Sequence, residues 1–197
     1  MRIPLIIPVF CCALPALLWG QAAGVGNGAS SPQIQQSFIN AYFRGQFSVL
    51  STLPPASNVK ALGATGLVQE FNAATGGGKL ALVKPDPTAP VGPSDTLQVY
   101  ADVYGAYTSV GSGTAGYPTM DTAACPANVF GTCTYQMFTK NYALFAYSAP
   151  FAVNYAVAEP GYSTWINNGG LSGRLGIVGS TAAAATSAAS TAGTEQT

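Results

Sequence analysis

Residues 104–147 read YGAYTSVGSGTAGYPTMDTAACPANVFGTCTYQMFTKNYALFAY, and signals for a helix, a turn, a disulfide and a β-hairpin follow one another in this stretch. Aromatic residues at helical spacing precede a glycine at position 111, a pattern typical of a helix and its C-terminal end. Residues 116–119, GYPT, have the composition of a turn. Segments 134–138 and 142–147 then predict a hairpin around Lys140-Asn141. The stretch predicts one unit made of a helix and a hairpin.

The helix of this unit is predicted to begin at Ser94-Asp95, because these side chains can cap a first helical turn. Asp102 is expected on its solvated face. Its buried face is predicted to carry five residues at helical spacing, namely Leu97, Tyr100, Val103, Tyr104 and Tyr107.

Cys125 and Cys133 lie between the turn and the hairpin, and we predict that they form a disulfide. A metal site would need more thiolate or imidazole ligands than the chain offers, and a redox pair is usually spaced C-x-x-C. Closing a loop of about nine residues contributes about 2.5 kcal/mol on the chain-entropy model.

The hairpin pattern occurs twice. Leu67-x-Gln69-x-Phe71 is followed by an apolar run at 80–83, and Thr134-x-Gln136-x-Phe138 by one at 142–147. The two glutamines are 67 residues apart (136 − 69). Helical segments ahead of each hairpin end at glycines 45 and 111, and a third at 161–168 ends at glycine 169. This self-similarity predicts related folding units.

The first helix is predicted at 33–44, with Ser31 as its N-cap and Pro32 in its first turn. We therefore predict an α+β domain over residues 32–179, in which two to three helix-plus-β-hairpin units pack side by side around one core with one disulfide. The units are expected at about 33–84, 97–148 and 160–179. Such units cannot bury their apolar faces alone.

Segments outside this domain have their own character. Residues 1–22 combine a basic start, an apolar run and small residues, which is typical of a secretory signal peptide; the alternative, a membrane anchor, is disfavoured by three prolines within a short run. Residues 23–31 are predicted to be a flexible leader. Residues 180–197, rich in Ala, Ser and Thr, are predicted to be disordered.

The composition excludes some functions. Charged residues make up 7% of the chain, and the seven basic residues form no cluster, so nucleic-acid binding is not expected. The chain has no histidine. No catalytic or phosphate-binding motif occurs, and we expect no enzyme activity, no cofactor and no metal. A carbohydrate-active enzyme that uses Asp121 or Glu70 is the weaker alternative.

Part of the sequence resembles a known family. Trp165-x-x-x-Gly169-Gly170-x-x-Gly173-x-Leu175-Gly176 looks like the signature of LGFP repeats, which occur in exported bacterial envelope proteins. Segments 115–118 and 135–138 resemble the second part of the same repeat. The resemblance covers residues 97–179 well and 33–84 weakly. It implies association with the cell envelope, recognition of wall or surface polysaccharide, and repeats without catalytic activity.

Four residues are candidates for ligand contact. Gln69 and Gln136 carry amides that can both donate to and accept from sugar hydroxyls, and the alternative is that each amide braces a neighbouring loop. Tyr117 and Trp165 offer flat rings for stacking on a sugar, and the alternative is packing in the core. Tyr117 is expected to be the more exposed of the two.

These observations predict an exported, non-catalytic cell-surface or envelope module that binds wall or surface polysaccharide. The expected location is secreted, periplasmic or on the cell surface, with no membrane span once the signal peptide is removed. The alternative is a structural spacer, or a fragment of a larger surface protein, with no ligand of its own.

Overall fold

The computed structural model describes residues 23–45, 47–51, 54–126, 132–148 and 152–176, together with the backbone of two strands at 183–186 and 192–195. The predicted signal peptide at 1–22 lies outside these residues. The fold is α+β, as predicted, and the Cys125–Cys133 disulfide is present with a Cα–Cα distance of 5.3 Å.

In chain order, the first half contains α1 (Pro32–Phe43), α2 (Phe47–Leu50), β1 (Lys60–Leu62), β2 (Gly66–Asn72), β3 (Lys79–Lys84) and β4 (Leu97–Val99). The second half contains α3 (Ala101–Val110), α4 (Ser112–Ala115), β5 (Ala123–Ala124), β6 (Cys133–Phe138), β7 (Tyr142–Tyr147), β8 (Asn154–Val157) and α5 (Gly161–Asn167), followed by a 3₁₀ turn at Gly170–Ser172. β9 (Ala183–Thr186) and β10 (Ala192–Glu195) come last.

Helix α1 confirms the first predicted helix to within one residue. The Ser31 hydroxyl accepts a hydrogen bond from the Ile34 amide at 3.2 Å, and Pro32 occupies the first turn, where a missing N–H costs nothing. Phe38 and Tyr42 are among the residues that its inner face buries.

The strands form one antiparallel sheet in the order β1-β2-β3-β4 and another in the order β5-β6-β7-β8. Both predicted hairpins, β2–β3 and β6–β7, are confirmed. Gln69 lies opposite Leu82, which lies opposite Gln98 on the next strand. In the same way, Gln136 lies opposite Leu144, and Leu144 lies opposite Ala156. The two sheets therefore share strand order and register, while the division into stacked repeat units stays a prediction.

The predicted start of the second helix is wrong. Residues 97–99 form strand β4, because pairing with β3 buries all three of them, and the helix begins only at Ala101. Asp95 caps no helix; its carboxylate lies 2.7 Å from the ammonium of Lys84 in a buried ion pair. Asp102 lies in the first turn of α3.

The leader differs from the flexible segment that its composition predicts. Val25 is 2% exposed, and the amide of Gly26 donates to the side-chain oxygen of Gln69 at 2.8 Å. Gly26 has a φ of +78°, and a Cβ there would come within 2.9 Å of the Gln35 carbonyl oxygen. Gly26 therefore lets the leader pass close to α1.

Helix α3 joins the two halves. Its buried residues pack against β3 of the first sheet and β6 and β7 of the second, and the ring of Tyr107 stacks on Phe138 with centroids 4.9 Å apart. A neighbouring cluster packs Phe38, Tyr42 and Phe47 against β2 and β3, and another packs Trp165 against β7 near the disulfide. The buried residues of the described ranges thus form three hydrophobic clusters between α1 and α5.

Strands β9 and β10 pair as an antiparallel ribbon inside the segment predicted to be disordered, since backbone pairing needs no apolar periodicity. Among the helices in the described ranges, none combines the length and apolar character needed to span a membrane.

Candidate functional site

Gln69 braces the leader. Its side chain is fully buried, its amide nitrogen donates to the carbonyls of Gly24 at 3.0 Å and Ser57 at 3.1 Å, and its oxygen accepts from Gly26. A buried amide bonded on all sides contributes to the fold by satisfying backbone groups. This position supports the bracing role and does not support ligand contact.

Gln136 has the corresponding role in the second sheet. It is fully buried, its amide nitrogen donates to the Met120 carbonyl at 2.7 Å, and its oxygen accepts from the Thr122 hydroxyl at 2.8 Å. Met120 precedes β5 by three residues, as Ser57 precedes β1. The two glutamines therefore fix equivalent loops, and neither lines the two grooves described below.

A third glutamine, Gln98, was missed as a special residue because it was assigned to a helix. Its side-chain amide donates to the carbonyls of Ala41, at 2.6 Å, and Arg44 at the end of α1. Its own backbone N–H donates to Asp121 at 2.7 Å, and its carbonyl accepts from the Thr122 amide at 2.9 Å. Gln98 thus links α1, β4 and the segment that leads into β5.

Asp121, a candidate acid in the enzyme alternative, is held in an ion pair. The guanidinium of Arg44 donates to both of its oxygens, at 3.0 and 2.7 Å, and also to the carbonyls of Thr96 and Pro93. A two-pronged arrangement of this kind fixes geometry. The carboxylate ties the end of α1 to the second sheet.

Glu70, the other candidate acid, is also fully engaged. It accepts from the Tyr104 hydroxyl at 2.8 Å and pairs with Lys60 and Lys79, each at 3.1 Å. Burial opposes ionisation of Glu70, but the hydroxyl and the two ammonium groups outweigh it and lower its pKa. A general acid needs a raised pKa, so this carboxylate is poorly suited to that role.

Tyr117 is a strut rather than an open platform. Its hydroxyl accepts from the amides of Thr65 at 2.9 Å and Gly66 at 3.1 Å, and donates to the Leu62 carbonyl at 3.1 Å. Desolvation alone would raise the pKa of Tyr117, but the hydrogen bonds from the Thr65 side chain and from these amides lower it. The ring therefore ties the loop after α4 to the β1–β2 turn.

Trp165 belongs to the core, in line with the alternative for this residue. It is 3% exposed, its ring meets Phe145 edge-on at 5.7 Å, and its indole N–H donates to the Gly176 carbonyl at 2.9 Å. None of the four predicted contact residues lines either of the two surface grooves described next. The sequence therefore found residues that hold the fold, and the grooves are built from others.

The first groove, which we call the Phe43 groove, has a volume of about 540 Å³ and lies between α1 and the proline-rich connector. Two apolar side chains in its lining are exposed to solvent: Phe43 is 47% exposed and Val91 is 39% exposed. Beside Phe43, the oxygen of the Asn40 amide accepts from the Gln36 amide at 2.8 Å. The full lining consists of Ile39, Asn40, Phe43, Arg44, Val91, Gly92 and Pro93.

Sequence reasoning missed the Phe43 groove for a specific reason. Tyr42 and Phe43 are adjacent aromatics on α1, and residues that follow each other on a helix point in directions about 100° apart. Tyr42 is fully buried, so Phe43 points away from the core, toward the connector. Phe43, which follows a buried aromatic on the same helix, was therefore the sequence feature that could have indicated this groove.

The second groove, which we call the Gly105 groove, has a volume of about 440 Å³ and lies between α3 and the end of β7. Its floor consists of small residues of α3, and its polar wall carries Asp102, Ser148 and Asn154. The full lining consists of Ala101, Asp102, Gly105, Ala106, Tyr147, Ser148, Ala152 and Asn154.

In the part of the chain that the structure describes, no three His, Cys, Asp or Glu side chains come close enough together to hold a metal ion. Comparison with protein-family models, with curated proteins and with solved structures found no match to this chain.

Proposed function

We propose that this protein is an exported, non-catalytic module of the cell surface or envelope, and that it binds a wall or surface polysaccharide in the Phe43 groove. The observation that carries the proposal is the half-exposed ring of Phe43 beside the Asn40 amide, in a groove with no acid in its lining. This argument replaces the four residues singled out from the sequence.

The Phe43 groove has the features that a neutral sugar needs. An aromatic ring offers an apolar face to the C–H side of a pyranose, and an amide both donates to and accepts from hydroxyl groups. The volume of about 540 Å³ falls within the usual range for small-ligand sites. The one cation in the lining, Arg44, is already bound to Asp121 and to backbone carbonyls. Recognition in this groove would therefore depend on stacking and amides rather than on charge.

The rigidity of this site also supports binding. The α1 end of the groove is held by Gln98, which bonds Ala41 and Arg44, and the connector is held by Arg44 itself through Pro93 and Thr96. A preorganised groove loses less conformational entropy when a ligand binds. The non-catalytic part of the proposal is supported by the pairing of Glu70 and Asp121 with cations.

Retention on an insoluble wall polysaccharide tests the proposal. The mature chain, residues 23–197, should sediment with the polymer and be released by free oligosaccharide of the same composition. Phe43→Ala should abolish most of this retention. Val49→Ala is the matched control, because Val49 is also an exposed apolar residue, at 75%, but lines neither groove.

Two outcomes would count against the proposal. If the wild-type chain stays in the supernatant at every salt concentration, this would favour a structural spacer with no ligand of its own. Equal retention of the wild type and Phe43→Ala would remove the Phe43 groove as the site. Export is tested separately, by expressing the full chain and sequencing the N-terminus of the material found outside the cytoplasm.

A further inference from the structure

Three polar side chains line the Gly105 groove. The carboxylate of Asp102, the hydroxyl of Ser148 and the amide of Asn154 line it, and within the described residues none of these three side-chain groups has a hydrogen-bond or ion-pair partner. All three residues are exposed. Polar groups that converge on a cavity without partners in the protein are available to a ligand.

Asp102 differs from the other acids with described side chains. Each of those five carboxylates accepts a hydrogen bond from another residue: Glu70 from Tyr104, Asp86 from Thr88, Asp95 from Lys84, Asp121 from Arg44 and Glu159 from Asn141. Asp102 is the one described carboxylate left without such a partner, and it is the one that lines a groove. The groove therefore presents a negative charge that no cation of the described chain neutralises.

Gly105 leaves space in the groove but makes helix α3 less stable than an alanine would. Gly105 lies in the middle of α3, where glycine is less favourable than alanine by about 1 kcal/mol. Packing does not require it, because a Cβ built at Gly105 would meet no atom within 4 Å. The missing side chain leaves room in the groove next to Asp102, one turn away along the helix.

We propose that the Gly105 groove binds a primary ammonium group carried on a hydroxyl-bearing ligand, such as an amino sugar. An ammonium has three donors and no acceptor, and it would donate to the carboxylate of Asp102, the hydroxyl oxygen of Ser148 and the amide oxygen of Asn154. A divalent cation needs several charged ligands, and the described residues bring no such group together. The NH₂ group of the Asn154 amide would donate to a neighbouring hydroxyl of the ligand. This proposal does not depend on the Phe43 groove.

The test uses the mature chain and two ligands that differ in one group. Isothermal titration calorimetry compares a β-1,4-linked glucosamine hexamer with its fully N-acetylated counterpart, which has the same rings but no charge. The glucosamine hexamer should bind at least about tenfold more tightly, and the difference should shrink as salt screens the charge. An equal or stronger affinity for the acetylated hexamer would overturn the proposal.

Two variants locate the effect. Asp102→Asn keeps the shape of the side chain and should remove the preference for the amine; a preference that survives this change would contradict the assignment. Gly105→Gln should fill the groove and lower affinity while the melting temperature holds or rises, because glutamine favours the helix. Val49→Ala, at an exposed apolar residue that lines neither groove, should leave the preference unchanged.

A third ligand identifies the source of the ammonium. Spermidine carries primary ammonium groups without a sugar ring. Binding of the glucosamine hexamer but not of spermidine at equal concentration is the expected result, since the hydroxyls contribute. Tighter binding of spermidine than of the hexamer would overturn the amino-sugar assignment and favour a polyamine.

Discussion

The side chain of Gln98 donates a hydrogen bond to the carbonyl of Ala41 at 2.6 Å, across 57 positions of the chain. Ala41 lies in the last turn of α1, where its carbonyl also accepts a hydrogen bond from the Arg44 amide at 3.2 Å. Gln98 of β4 therefore holds the C-terminal end of a helix that lies much earlier in the sequence. The same residue connects to Asp121 and Thr122 ahead of the second sheet.

We predict that Gln98→Ala destabilises the fold by about 1–3 kcal/mol, because it removes the side-chain donor to the carbonyls of Arg44 and Ala41, and Ala41 keeps only the Arg44 N–H. Urea unfolding followed by circular dichroism measures the change. Gln36→Ala, on the exposed face of α1, is the control and should shift stability by less than about 0.5 kcal/mol. Equal effects of the two substitutions would show that the Gln98 amide does not stabilise the junction.

The buried ion pair between Lys84 and Asp95 gives a second prediction. The side chain of Lys84 is 1% exposed, and its ammonium lies 2.7 Å from the carboxylate. Lys84→Met should cost about 3–5 kcal/mol, since it leaves a buried charge without its partner. The double variant Lys84→Met, Asp95→Leu should cost much less than the sum of the two single changes, which a double-mutant cycle measures.

The same carboxylate predicts a pH dependence. Burial opposes ionisation of Asp95, but hydrogen bonds from Lys84 and Ser37 outweigh it and lower its pKa. The unfolded chain then binds this proton more tightly than the folded one, so the contribution is present above the ordinary aspartate pKa and is lost as pH falls toward the folded value. Unfolding free energy measured against pH should fall less steeply for Asp95→Asn over this acidic range. Identical slopes would refute the assignment.

The sequence predicted α1 and both hairpins because their signals are local. Ser31-Pro32 marks the start of α1, and alternating apolar residues mark the strands around Gln69 and Gln136. Strand β4 could not be predicted in this way, because three residues become a strand only through pairing with β3. Its neighbours at helical spacing made a longer helix the simpler interpretation.

The candidate site was less predictable than the fold. Sequence recurrence identified Gln69 and Gln136 as special, and the structure shows that they brace the leader and the β5 loop. The Phe43 groove depends on where the connector at 91–93 lies against α1, which is a long-range relationship. No local pattern could state it.

The disulfide gives a further prediction. Cys125 and Cys133 close a short loop ahead of the second hairpin, and reduction should lower the free energy of unfolding by about 2.5 kcal/mol. Chemical denaturation with and without a phosphine reductant measures the difference. The hairpin itself should persist after reduction, since the β6–β7 pairing extends from Cys133 to Phe138. Complete unfolding at neutral pH and room temperature would mean that the core contributes less than we infer.

Tyr117→Phe should loosen the β1–β2 turn without unfolding the domain. The substitution removes the hydroxyl that accepts from Thr65 and Gly66, and the loss should be about 1 kcal/mol because these groups are partly open to water. Amide hydrogen exchange should quicken at Thr65 and Gly66. Unchanged exchange at these two amides would contradict the structural role of the Tyr117 hydroxyl. Weaker polysaccharide binding together with unchanged exchange would instead support Tyr117 as a contact residue.

We propose the Phe43 groove, rather than Gln69, Gln136, Tyr117 or Trp165, as the place where a polysaccharide binds. Chemical-shift mapping of the ¹⁵N-labelled mature chain with a soluble oligosaccharide of the retained polymer tests it most directly. We expect saturable shifts at Asn40, Phe43 and Val91 in the wild type, and we expect these shifts to be absent in Phe43→Ala. Saturable shifts confined to the surroundings of Tyr117 and Trp165, with none along α1, would contradict it.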